Sequence, residues 1–89
     1  MKPNKETYRI LVIDDHPIVA EGIIALASQL EGVTCKGATC AKDAEQLTLK
    51  ERFDLCIIDL ELPDMNGFQL ISHLHSQIPE CGILIYTMH

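Results

Sequence analysis

Four short apolar runs, separated by stretches of helical period, constrain this chain more than any other feature of its sequence. Tyr8-Arg9-Ile10-Leu11-Val12-Ile13 is rich in β-branched residues and stops at Asp14-Asp15. Val33 to Ala38 is a weaker, alternating run, whereas Leu55-Cys56-Ile57-Ile58 is continuous and stops at Asp59. The last run, Ile83-Leu84-Ile85-Tyr86, leads into Thr87. Between the first two runs, Val19, Ile23, Leu26 and Leu30 recur at helical spacing behind Pro17, a residue suited to a first helical turn, and Gly32 is a stop signal. Ala41, Ala44 and Leu47 share a face of a second helix, with Thr39 as its candidate cap and Lys50-Glu51-Arg52 closing it. Leu70, Ile71, Leu74 and Ile78 line the inner face of a third, ended by Pro79, behind a loop rich in turn formers from Leu60 to Gly67. Strand and helix alternating in this way predict an α/β protein with a parallel sheet. Near-continuous apolar strands fit that class, because parallel strands are covered on both faces.

With 89 residues the chain is one domain, preceded by a polar tail over residues 1–7. A chain of this size buries little more than ~60% of its unfolded surface, so its stability is marginal. Seven Lys+Arg against 13 Asp+Glu give a net charge of −6, a poor electrostatic match for a polyphosphate backbone, so nucleic-acid binding by this segment is not expected. The start, MKPNKETYRI, is too polar for a signal peptide, and no apolar run approaches the ~20 residues that span a bilayer. The expected location is the cytoplasm. Cys35, Cys40, Cys56 and Cys81 have neither C-x-x-C spacing nor a His at zinc-ligand spacing, and are expected to be free thiols that behave as small hydrophobes. His73 and His75, two apart on a helix, point different ways and make a poor metal pair.

Asp14, Asp15 and Asp59 all sit at strand carboxyl ends, where open α/β sheets bind their ligands. An acid in such a place is often only a helix cap, and Asp14 or Asp15 fits that role ahead of Pro17. Three acids ending two apolar strands are harder to explain so. If the first and third strands are neighbours, the carboxylates converge, and unit charges ~4 Å apart repel by about 4 kcal/mol at an effective dielectric near 20. Such a cluster takes up a proton or binds a cation, and oxygen-only ligands favour Mg²⁺. Thr87, at the end of the fourth strand, faces the same crevice.

These residues carry a resemblance. Ile-Leu-Val-Ile-Asp14-Asp15-His16-Pro17, Leu-Cys-Ile-Ile-Asp59-Leu-Glu-Leu-Pro63-Asp-Met-Asn-Gly67 and Ile-Leu-Ile-Tyr-Thr87 together resemble the receiver domain of bacterial two-component response regulators over residues 8–88. The Asp-Asp-His-Pro start is similar to that of regulators with a helix-turn-helix output domain. The resemblance implies a flavodoxin-like doubly wound sheet of order 2-1-3-4 and a role in phosphorelay signal transduction. It implies Asp59 as phosphoacceptor, with a sensor histidine kinase or phosphotransfer protein as donor. It also implies Mg²⁺ held directly by Asp15, Asp59 and the backbone carbonyl of Glu61, with Asp14 acting through water. Thr87 would hydrogen-bond the phosphoryl group and switch inward, and the amides of Glu61 and Met88 would contact its oxygens.

The family adds a last helix, strand and helix, with a phosphoryl-binding Lys after the fifth strand. None of Lys2, Lys5, Lys36, Lys42 or Lys50 is at a comparable site, so the chain is expected to be a receiver lacking that C-terminal third. Its fourth strand would then be an exposed apolar edge prone to self-association. Two other functions stay open: a phosphorylation-incompetent interaction module, and, on the faint likeness of Asp59-Leu60-Glu61 to an Asp-x-acid pair, a metal-dependent phosphohydrolase. The main reading is a regulatory phosphoacceptor, not an enzyme.

Overall fold

The computed structural model describes residues 7–87. The order of elements is β1 (Tyr8–Ile13), α1 (Pro17–Ser28), β2 (Val33–Ala38), α2 (Ala41–Lys50), β3 (Leu55–Asp59), α3 (Gly67–Gln77) and β4 (Gly82–Tyr86). The four strands are parallel and lie in the order β2-β1-β3-β4. Met88 falls outside the described residues.

Sequence decides which strands are central. Leu11, Val12 and Ile13 are consecutive and all fully buried, as only a strand covered on both faces allows. Leu11 and Ile13 point into the main core with Cys56, Ile58, Leu70 and Leu74, on the side of the sheet that carries α2 and α3. Right-handed crossovers put α1 on the other side, over β1 and β2. There the packing is thin: Ala20 is the one buried residue of α1, and Leu26 and Leu30 are 68% and 60% exposed. Leu26 thus lies on an uncovered part of α1, and Leu30 lies beyond its last residue, Ser28. The helical spacing expected through Leu30 therefore holds only as far as Leu26.

Capping departs from the expectation too. Thr39 does not cap α2; its N-cap residue is Cys40, which offers no side-chain bond. The free amides of Ala41 and Lys42 instead donate to Asp64 Oδ1 and Oδ2, at 2.9 and 3.0 Å, so the loop after β3 caps the preceding helix. Asn66 caps α3 by accepting from the Phe68 amide. Gly32 lies in the turn after α1 at φ 76°, a left-handed conformation that favours glycine. Gly67 is needed for a different reason: a Cβ there would lie 2.7 Å from Leu60 Cα, inside the backbone of the loop it closes.

All four cysteines are free thiols, as expected, and Cys56 and Cys81 are buried. Their sulfurs approach to 3.6 Å, Cys56 from β3 and Cys81 from the residue just before β4, a proximity their spacing does not announce. His73 Nδ1 lies 3.1 Å from Glu45 Oε1 on α2.

Candidate functional site

The site is built by register. Ile13 pairs with Ile58 across β1 and β3, so the next residues, Asp14 and Asp59, emerge side by side at the carboxyl edge of the sheet. Both are fully buried, while the side chain of Asp15 is about one-third exposed. One ligand atom from each of Asp14, Asp15, His16 and Asp59 lies within 4.8 Å of the others. The convergence expected of the three acids is present, and neither Asp14 nor Asp15 is the helix cap. The N-cap position of α1 belongs to His16, whose side chain makes no capping bond.

Each carboxylate is held differently. Asp14 Oδ1 accepts from the His16 amide at 2.8 Å and from the His16 ring Nδ1 at 2.6 Å. Its other oxygen, Oδ2, accepts from the Tyr86 hydroxyl. Burial acts to raise the Asp14 carboxyl, but the bonds from Tyr86 and His16 prevail and hold it below its ordinary value. Asp59 Oδ1 accepts from the Glu61 amide at 3.0 Å. The buried oxygens Asp59 Oδ2 and Asp15 Oδ1 have no hydrogen-bond partner. The His16 ring is drawn toward its protonated form chiefly by its bond to Asp14, against some desolvation, and further by the charges of Asp15 and Asp59.

His16 and Tyr86 are the site residues that sequence reasoning did not assign. A signal existed for His16, a titratable side chain directly behind an acid pair. For Tyr86 there was little, since a strand-ending aromatic is ordinary; its phenol is pushed well above its usual value by burial and by the bond to Asp14. Thr87 directly follows β4 and is exposed, and it is Tyr86, one residue earlier, that reaches the acids. Glu61 is also exposed, and its backbone bridges to Asn66 across the loop.

The donor set fits a hard divalent cation. Buried polar atoms without partners are rare because they forfeit their hydration. Here two carboxylate oxygens are in that state and face one another's charge, and a cation relieves both defects at once. Oxygen donors of this kind suit Mg²⁺.

A family model, the response regulator receiver domain, matches residues 10–89. The chain belongs to the response regulator receiver domain family. The transcriptional regulatory protein BasR of Escherichia coli is 33% identical over 89% of this chain and 35% of its own length. A CheY-like receiver domain of Methanospirillum hungatei superposes with a TM-score of 0.88 at 26% identity, covering 93% of this chain and 66% of the other. The response regulator TrrA of Thermotoga maritima, solved in complex with Mg²⁺-BeF, superposes with a TM-score of 0.85 at 25% identity, covering 93% of this chain and 71% of that one. The order 2-1-3-4 found here is that of the first four strands of the flavodoxin-like order 2-1-3-4-5. This receiver chain spans about a third of the length of BasR, so what the whole of such a relative does is a separate matter. Receiver domains bind Mg²⁺ at an acidic pocket, and the acids gathered here form such a pocket. No helix among the described residues is long and apolar enough to cross a membrane.

Proposed function

We propose that this receiver accepts a phosphoryl group on Asp59 from the phosphohistidine of a sensor kinase or phosphotransfer protein. The observation that carries the reading is the state of Asp59: fully buried, one oxygen held by the Glu61 amide, the other without a partner and facing two more acids. A carboxylate oxygen of Asp59 attacks phosphorus, the P–N bond to the donor imidazole breaks, and an acyl phosphate forms. The departing imidazole takes its proton from solvent. Phosphoryl transfer depends on positioning and charge neutralisation rather than on covalent help, and preset amides and carboxylates supply the first of these. Asp15, Asp59 and the Glu61 carbonyl would hold Mg²⁺, with Asp14 acting through water. When bound, the ion offsets negative charge on the incoming phosphoryl oxygens.

Thr87 would bond the phosphoryl group from the end of β4 and move inward, with the amides of Glu61 and Met88 on the remaining oxygens. That movement is the switch passed to an output. Among the described residues, Lys36 is engaged by Glu51, and Lys42 and Lys50 are on α2. A site without a cationic side chain on the phosphoryl group reacts slowly with small phosphodonors, and a kinase partner then matters more. β4 lies at the sheet edge, with Leu84 and Ile85 55% and 40% exposed, and this edge favours self-association. Size-exclusion chromatography with light scattering is expected to show association that weakens on Ile85→Lys. A strictly monomeric chain at high concentration would remove that part of the proposal.

The test of the main reading is incubation with a phosphorylated phosphotransfer domain and Mg²⁺, followed by intact-mass analysis. One added phosphoryl group that disappears in Asp59→Asn is expected. Equal labelling of the variant, or none of either protein, would overturn it.

A further inference from the structure

The two unpartnered oxygens of the pocket face the same atom. Asp15 Oδ1 is 3.2 Å and Asp59 Oδ2 3.4 Å from His16 Nδ1, yet neither is hydrogen-bonded, because the single Nδ1 proton is directed at Asp14 Oδ1. One imidazole nitrogen thus lies within ligand-set distance of three carboxylates, and the fold fixes it there. The His16 amide is anchored on Asp14 Oδ1, and Pro17 begins α1 directly behind it. The ring is half exposed, so it can carry its proton on Nε2 and turn the Nδ1 lone pair inward.

We propose that His16 Nδ1 is a ligand in this pocket, and that the pocket consequently prefers borderline first-row ions such as Ni²⁺ or Zn²⁺ over Mg²⁺. The inference rests on the acidic pocket being the metal site of the preceding section, and it adds a nitrogen donor to an otherwise all-oxygen set. Carboxylates and carbonyls suit Mg²⁺ and Mn²⁺, whereas imidazole raises affinity for the later metals, which bind more tightly in the order Mn²⁺ < Co²⁺ < Ni²⁺. Bound ligands of this kind bring Asp14, Asp15 and Asp59 to one ion, so the unserved oxygens gain partners through the same centre that engages the ring. Metal identity would then set how the receiver's charge is balanced before any phosphoryl group arrives.

The experiment loads the full 89-residue chain with one metal at a time, at one fixed pH, and measures affinity by calorimetry. His16→Ala is expected to weaken Ni²⁺ binding by about tenfold or more and to change Mg²⁺ binding by less than about threefold. Electron spin-echo spectra of the Mn²⁺-loaded chain are expected to carry imidazole ¹⁴N modulation that is lost in His16→Ala and kept in His73→Ala. Equal effects on Ni²⁺ and Mg²⁺, no effect on either, tighter Mg²⁺ binding without the ring, or ¹⁴N modulation that survives His16→Ala would each overturn the proposal. His16 is half exposed, so loss of fold is not expected; His16→Gln, checked by circular dichroism, repeats the test with a polar replacement. Asp59→Asn separates the two readings. If it leaves Mg²⁺ binding unchanged, the pocket itself is wrong; if it abolishes Mg²⁺ binding while His16→Ala does nothing to Ni²⁺, only the nitrogen ligand is wrong.

Discussion

The hydroxyl of Tyr86 donates to Oδ2 of Asp14, joining residues 72 apart in sequence and at the ends of two strands, β4 and β1, that are not neighbours. β3 lies between β1 and β4, so the phenol reaches over the end of the strand that carries Asp59. A buried carboxylate is thereby held ionised beside two other acids, and the sheet's edge strand is tied to its centre.

Tyr86→Phe should therefore affect the site before the fold. The Asp14 carboxyl loses one of the bonds that keep it below its ordinary value, and its pKa rises. Leaving a buried acceptor short of a partner costs about 1–3 kcal/mol. Carboxyl-carbon NMR titration of Asp14 and urea denaturation check the two effects separately; an unchanged titration would show that the phenol is a bystander.

The metal-free domain should have a stability maximum on the mildly acidic side. The folded-state pKa of His16 is raised, so its contribution is complete below the ordinary histidine value and is lost as pH rises through the higher folded value. The folded-state pKa of Asp14 is lowered, so its contribution is present above the ordinary carboxylate value and is lost as pH falls through the lower folded one. Thermal melts in chelator across this range should show both limbs. His16→Ala should flatten the alkaline limb and, because the His16 ring also helps to hold the Asp14 carboxyl low, shrink the acid limb as well.

Gly67→Ala tests the loop that positions Glu61. The added Cβ meets Leu60 Cα at 2.7 Å, a backbone contact that cannot swing away, and overpacking of this kind costs about 1–3 kcal/mol. The Glu61 amide, which donates to Asp59, lies in the same loop, so Mg²⁺ affinity should fall together with the urea midpoint. A stability loss without any change in affinity would uncouple the loop from the site.

Asp64→Ala should destabilise by about 1–2 kcal/mol, the usual loss for a helix cap, because both oxygens serve amides at the start of α2. Asp64→Asn, which keeps one acceptor, should lose less. Neither change should alter Mg²⁺ affinity, and chemical denaturation with parallel calorimetry measures both.

Much of this protein was legible in its residues. Strand and helix positions followed from apolar period, and Asp14, Asp15 and Asp59 stood out because each ends or follows an apolar strand. The period that ran from Val19 to Leu30 overshot α1, which ends at Ser28, and helical period marks a face without saying whether anything covers it, as the exposed Leu26 shows. Thr39 misled because local capping chemistry was outbid by Asp64, a residue 23 positions from the helix it caps. His16 was passed over as part of a motif, although its ring turned out to face all three acids.

What the sequence by itself determined is the kind of each element and the placing of acids at strand ends, because period and turn chemistry act over a few neighbouring residues. Only the tertiary structure decided which polar groups meet. Parallel strands joined by right-handed crossovers put β3 beside β1 and β4 beyond it, and that order brings Tyr86 to Asp14, Asp64 to α2 and one imidazole to three carboxylates. Those pairings span tens of residues. They follow from topology and burial, which no local pattern encodes.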